Sequence, residues 1–351
     1  MTCSIFSNYN IGNLNLDNRI VMAPMTRGGF ADNETGEVNY LIADYYGKRA
    51  RYGAGLIITE GIAINELAKG TFGIPGIYTH SQTLSWQKVT REVHQYKTKI
   101  FAQLWHVGRL SHQKVLGGHA PVSPSSLAAN GFVHRLRHPY QTPKSLSKQE
   151  IYSIIDDYKI AARNAMEAGF DGIEIHAAHG YLIDQFINEK TNLRKDEFGG
   201  SLKNRLRFLD LIIKQVKKVV PKNRISIRIS EKKDDDKDYT WEYPEEIVLA
   251  IIEILSKHKI KIVHPSVENY GDVLKNDKKS LHELFRQYWD HTIIAVGNID
   301  PYKGSSIVDT KQTDLVAFGQ LFLTNPDLVI RLRAKQEIFP YKTKNKLTCL
   351  F

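Results

Sequence analysis

FDGIEIHAAHGYLIDQF, residues 170–186, starts as a short apolar run and ends in two histidines three positions apart, with a glycine and a tyrosine behind them. Such a run reads as a buried strand, where polar groups cost free energy unless they face a cleft and find partners. The strand therefore delivers His176, His179 and Tyr181 to one place. Two imidazoles can donate hydrogen bonds to an oxygen that gains negative charge, and a phenol can supply a proton. The trio suits reduction of a bond beside a carbonyl or nitro group. A lone histidine would be better read as satisfied core packing, but three polar residues after one strand argue against that. Metal binding fits poorly. No acidic or cysteine cluster lies beside the pair, and RIVMAPMTR (19–27) lacks the His-x-His that barrel metalloenzymes place on a first strand.

Outward from this stretch, apolar runs recur with helical periodicity between them. They are RIVMAPM (19–25), GLIITEG (55–61), IFAQLWH (100–106), GIEIHA (172–177), ISIRIS (225–230), KIVHPS (261–266), TIIAVGN (292–298) and LVAFGQ (315–320). Eight strands alternating with helices predict an α/β fold, a closed (β/α)8 TIM barrel, formed by residues 1–351 as a single domain. Helices are expected over 147–168, 202–220 and 243–258. Thr26, Glu60, Gln103, His106, His176, Arg228, His264, Asn298 and Gln320 then fall at or near the C-terminal ends of strands, where barrels build their sites. Residues 5–20 read as a capping hairpin that plugs the barrel bottom. Residues 108–145 form a long excursion after strand 3, a candidate lid or cofactor wall. The acidic run 234–238 reads as a solvated loop. After the last strand, Asn325 is expected to cap a helix with Pro326 in its first position.

Net charge is +10, with the lysines scattered and no aromatics interleaved among them, which favours a solvated basic surface over a nucleic-acid site. No run approaches membrane-spanning length, and the N-terminus lacks a signal core, so a cytoplasmic protein is expected. Cys3 and Cys349, near opposite ends, make a disulfide framework or a cysteine-bound cluster implausible.

Several segments, taken in order, resemble the Old Yellow Enzyme family of flavin-dependent ene-reductases. They are APMTR (23–27), TEG (59–61), PGIYT (75–79), QLWHVGR (103–109), PVSPSS (121–126), IHAAHGYLIDQF (175–186), DEFGGSLKNRLRF (196–208) and NPDLVIRL (325–332). The resemblance implies noncovalent FMN, with NADPH or NADH as hydride donor and a small-molecule substrate with an activated C=C bond, or a nitro compound or nitrate ester. It implies that Ala23, Pro24 and Met25 lie against the flavin and that the Thr26 hydroxyl bonds its carbonyl. Gln103 would bond the pyrimidine edge, Arg228 would sit near N1 and O2, and Gly61 would make a backbone contact. Gly297, Asn298, Gly319 and Gln320 would line the phosphate. His176 and His179 would bind the substrate oxygen, Tyr181 would protonate the α-carbon, and Trp105 and Tyr78 would wall the pocket. The family usually has arginine at the position of Gln320, so this chain is expected to hold FMN less tightly. The segment after Arg228 and the C-terminal tail also depart from the family pattern. A degenerate barrel that binds a flavin or phenolic ligand without turnover is the alternative.

Overall fold

The structure is a computed structural model describing residues 4–29 and 31–342, so Cys3, Cys349 and the end of the divergent tail lie outside the described residues. Eight parallel strands close into a barrel in chain order: β1 (Ile20–Met22), β2 (Leu56–Ala63), β3 (Lys99–Trp105), β4 (Gly172–His179), β5 (Ile225–Lys233), β6 (Ile262–Pro265), β7 (Thr292–Ala295) and β8 (Leu315–Phe318). Every expected strand is present. β2 is buried along its whole length, which is why it reads as a continuous apolar run rather than an alternating one. The intervening helices are α1 (Tyr40–Arg51), α2 (His80–His94), α3 (Lys148–Glu167), α4 (Arg207–Val216), α5 (Pro244–His258), α6 (Leu281–Tyr288), α7 (Gly304–Asp309) and α8 (Leu328–Ala334). At the start of α3, the Ser147 hydroxyl accepts from the Glu150 amide while the Glu150 carboxylate accepts from the Ser147 amide, so the sequence marks that boundary itself.

The N-terminal hairpin forms as expected. Tyr9–Ile11 pairs antiparallel with Leu14–Leu16 around Gly12, whose φ of +60° suits a residue without Cβ. Ile11, Leu14 and Leu16 pack against Leu56, Ile262 and Leu315, each the first residue of a barrel strand. The hairpin thus plugs the end opposite the catalytic rim.

Two expectations about helices are corrected. The helix expected over 202–220 is a short Leu202–Arg205 turn followed by α4, which stops at Val216. Pro221 disfavours helical backbone just before it, and the chain leaves the helix in time. Asn325 does not cap α8; Asp327 precedes that helix. The Asn325 side chain is buried, donating to the Leu321 and Phe339 carbonyls and accepting from the Phe339 amide, and so ties the tail to the barrel.

Candidate active site

β4 runs on to His179, beyond its expected end, and its register against β5 shifts between Ala177 and His179. Such irregularities re-aim side chains next to sites. His179 itself has a φ of +60°, a left-handed backbone that histidine tolerates better than most residues, and its amide donates to Ser230 Oγ at 2.7 Å. The turn gathers the rings: His176 lies 5.2 Å from His179 and 4.9 Å from Tyr181, centroid to centroid. Trp105, at the end of β3, meets Tyr181 edge-on at 4.9 Å and stacks near His176 at 6.3 Å.

The protonation states follow from the surroundings. Burial pushes the His176 imidazole down to about 3, and Arg228 nearby adds to the effect. Its Nδ1 accepts from the Ala178 amide at 3.3 Å, which leaves the proton on Nε2 as a donor. Burial also drives His179 well below its ordinary value, and its Nε2 lies 3.0 Å from Ser266 Oγ, which accepts from Arg228 Nη2 at 2.9 Å. Both imidazoles are neutral. Tyr181 is held well above the ordinary phenol range, first by burial and then by Asp234, whose Oδ2 accepts the hydroxyl at 3.0 Å.

Beneath these groups lies a residue that the sequence reading passed over. The buried Glu174 carboxylate receives Gln103 Nε2 (2.9 Å), Ser226 Oγ (2.9 Å) and His264 Nδ1 (2.8 Å). Burial alone would raise its pKa, but His264, Arg228 and these donors together hold it down to about 2. Gln103 and Arg228 are thus set by one buried anion. The available signal was a glutamate inside an otherwise apolar strand, two positions before His176 and so on the same face.

Thr26 is placed by a second carboxyl. Glu60, buried and pushed up to about 7 by desolvation, accepts from the Arg27 and Gly28 amides at 3.2 and 3.4 Å. Arg135, from the long excursion, donates to the carbonyls of the same two residues. The excursion therefore reaches across the barrel mouth. Its Phe132, His134 and Tyr140 line a cavity of about 330 Å³ together with Thr26, Trp105, Tyr181, Asp234 and Lys237.

Other expected residues fall as follows. Ala23 and Met25 lie beside Gly319, where an added Cβ would come 3.3 Å from Met25 Sδ, and the Ala23 amide donates to the Phe318 carbonyl. Pro24 is partly exposed between them. Gly61 sits under the Trp105 ring, which a Cβ would meet at 2.4 Å, so packing alone demands glycine there. Gly297 and Asn298 follow β7, the Asn298 side-chain Nδ2 donating to Asn269 Oδ1, and Gln320 opens the short helix Gln320–Thr324 after β8. These phosphate candidates sit at adjacent strand ends but do not line the 330 Å³ cavity. Tyr78 lines a neighbouring cleft with Glu66, Lys69 and Lys114, its amide donating to Gln82 Oε1 in the cap of α2. The acidic run 234–238 is no mere solvated loop. Asp235 is buried in an ion pair with Arg109 at 2.6 Å, and Asp234 faces the cavity.

The donor set fits a flavin. Arg228 is a buried guanidinium whose Nε has no hydrogen-bond partner among the described residues, a cation with hydrogen-bonding capacity to spare that shares the Glu174 carboxylate's field with the Gln103 side chain. A fixed cation there suits a ring system that gains negative charge on reduction. No group of three or more His, Cys, Asp or Glu among the described residues could hold a metal ion. Fold and site together define a barrel oxidoreductase with a flavin-type rim.

Similarity to known proteins agrees. Residues 4–338 match the NADH:flavin oxidoreductase / NADH oxidase family. The chain is 36% identical to 12-oxophytodienoate reductase 7 of Oryza sativa subsp. japonica, over 98% of this chain and 91% of that one. It superposes on the old yellow enzyme homologue from Zymomonas mobilis with a TM-score of 0.89 and 33% identity, covering 98% of this chain and 96% of that one. Morphinone reductase in complex with tetrahydroNAD gives 0.87 and 34%, covering 98% and 94%. The chain belongs to the NADH:flavin oxidoreductase / NADH oxidase family, that of the Old Yellow Enzyme. It is an FMN-dependent, NAD(P)H-driven oxidoreductase of activated C=C bonds, and the family match gives no support to a degenerate barrel. No helix among the described residues is long and apolar enough to cross a membrane.

Proposed function

We propose that His176 and His179 bind the carbonyl oxygen of an α,β-unsaturated substrate and that Tyr181 protonates its α-carbon, nitro compounds and nitrate esters being further candidates for the same oxygen site. The observation that carries this reading is the convergence of two neutral imidazoles and a protonated phenol around Trp105 at the mouth of the barrel. FMN, where bound, would supply hydride-transfer chemistry fed by NADPH or NADH, and the substrate oxygen held by His176 and His179 would gain negative charge as its β-carbon is reduced. Ala23, Pro24, Met25, Thr26, Gly61, Gln103 and Arg228 would hold the flavin ring, and Gly297, Asn298, Gly319 and Gln320 the FMN phosphate. A neutral donor such as His176 Nε2–H binds a developing oxyanion without giving up a full proton, and one such donor contributes on the order of 3 kcal/mol at the transition state. Trp105 supplies an apolar wall.

The test of the oxygen site is ligand binding. His176→Ala and His179→Ala are each expected to weaken a phenol such as p-hydroxybenzaldehyde by about 1.5 to 3 kcal/mol, roughly ten- to a hundredfold, because each removes a donor to an anionic oxygen. The long-wavelength band that phenols produce over flavin reports the titration. Unchanged affinity in both variants sinks the assignment.

The phosphate site carries its own test. Arg331 spends its Nε on Asp327 and its Nη1 on the Glu337 carbonyl, which supports reading the phosphate site as short of the family's arginine. Gln320→Arg is expected to tighten FMN by about ten- to a hundredfold, as a charge-assisted contact replaces a neutral one. Fluorescence titration of the apoprotein measures this. An unchanged dissociation constant would show that another cation, such as Lys303, already serves the phosphate.

A further inference from the structure

The stretch EKKDDDKDY (231–239) puts four aspartates within five residues, and the mechanism proposed above uses none of them. One of them touches the proposed proton donor. Tyr181 Oη donates to Asp234 Oδ2 at 3.0 Å, while Asp234 Oδ1 lies 3.4 Å from Lys237 Nζ. The Asp234 side chain is half exposed, yet its position is fixed from three sides. Its amide donates to the His179 carbonyl at 3.0 Å. The preceding Lys233 is locked in a buried pair with Asp184, and the following Asp235 in one with Arg109. The loop is thus stitched to the same turn that presents Tyr181.

We propose that Asp234 is a positioning residue for proton delivery: its carboxylate holds the Tyr181 hydroxyl in place and keeps the proton on the phenol until a substrate α-carbon takes it. The inference rests on the role given above to Tyr181. Trp105 and His176 pack edge-on against the phenol ring, each at 4.9 Å, so the ring is fixed by packing and the hydroxyl by Asp234. Among the groups facing the phenol, Asp234 and Tyr140 oppose its ionisation and Arg228 favours it, while His176 and His179 are neutral. In delivery the O–H bond of Tyr181 breaks as a C–H bond forms at the α-carbon. The phenolate left beside a carboxylate is a stronger base than an isolated one. It recovers its proton from water at the cavity mouth, where Asp234 meets solvent.

Asp234→Asn in the holoenzyme tests this, because the amide oxygen still accepts the hydroxyl while the charge is gone. The alkaline fall in the rate at which 2-cyclohexenone reoxidises the reduced enzyme is expected to move down by about one pH unit or more. The tyrosinate absorbance of Asp234→Asn, less that of Asp234→Asn/Tyr181→Phe, should titrate lower by the same interval than the corresponding wild-type difference. Asp234→Glu should restore the wild-type profile. An alkaline limb and a tyrosinate titration that both stay in place overturn the proposal, even if the rate drops uniformly. The two ideas fail separately. If Tyr181→Phe leaves reoxidation by the enone unchanged, the role of Tyr181 itself is wrong. If that variant is slow but Asp234→Asn leaves the pH profile in place, only the role of Asp234 falls.

Discussion

Tyr181→Phe should slow reoxidation of the reduced holoenzyme by 2-cyclohexenone by about 10²- to 10⁴-fold, the usual contribution of a positioned general acid. Reduction by NADPH should stay nearly unchanged, since that half-reaction needs no proton at the α-carbon. The contrast is clean because phenylalanine keeps the edge-on packing against Trp105 and His176 and loses only the hydroxyl bond to Asp234. That bond ends on a half-exposed carboxylate, so its loss costs stability only about 1 kcal/mol. Stopped-flow traces of the two half-reactions make the comparison. Equal losses in both would mean that Tyr181 shapes the pocket without giving up its proton.

The barrel was legible because its strands are buried on both faces and connected in chain order, so each appears as an apolar run between helical segments. His176, His179 and Tyr181 were legible for the complementary reason: polar residues at the end of such a run need a cleft. What stayed hidden depends on partners far apart in the chain. Asp235 looks like solvated charge until Arg109, 126 residues earlier, is brought against it. Glu174 and His264 are separated by 90 residues and share one buried hydrogen bond. PGIYT also carries a local signal that the motif hides, since it leads into α2, where Thr79 and Gln82 form the capping box. Long-range ion pairs leave no periodicity in a sequence. Strands and caps do.

Lys233 shows how much such a hidden pair can matter, and its loss should be the most destabilising of the substitutions considered. Its ammonium lies 2.8 Å from both oxygens of Asp184, with side chains only 1% and 2% exposed, and sits over the Tyr239 and Trp241 rings at 4.8 and 5.8 Å. Asp184 also accepts the Gly180 amide at 2.7 Å, which pins the turn between His179 and Tyr181. Lys233→Met keeps much of the apolar stem but leaves a carboxylate buried without its cation, a change that costs about 3 to 5 kcal/mol. The burial penalty for the stranded charge, rather than the lost attraction, dominates that figure. Lys233→Met/Asp184→Leu should therefore be more stable than Lys233→Met alone, although it removes one more polar partner, because no unpaired charge remains. It should nevertheless bind phenols weakly, since Gly180 has lost its acceptor and the turn that presents His179 and Tyr181 is no longer held. Urea unfolding of the three proteins, read beside phenol titration, separates the two effects. A double variant less stable than the single one would show that the pair contributes net stability beyond the cost of burying it.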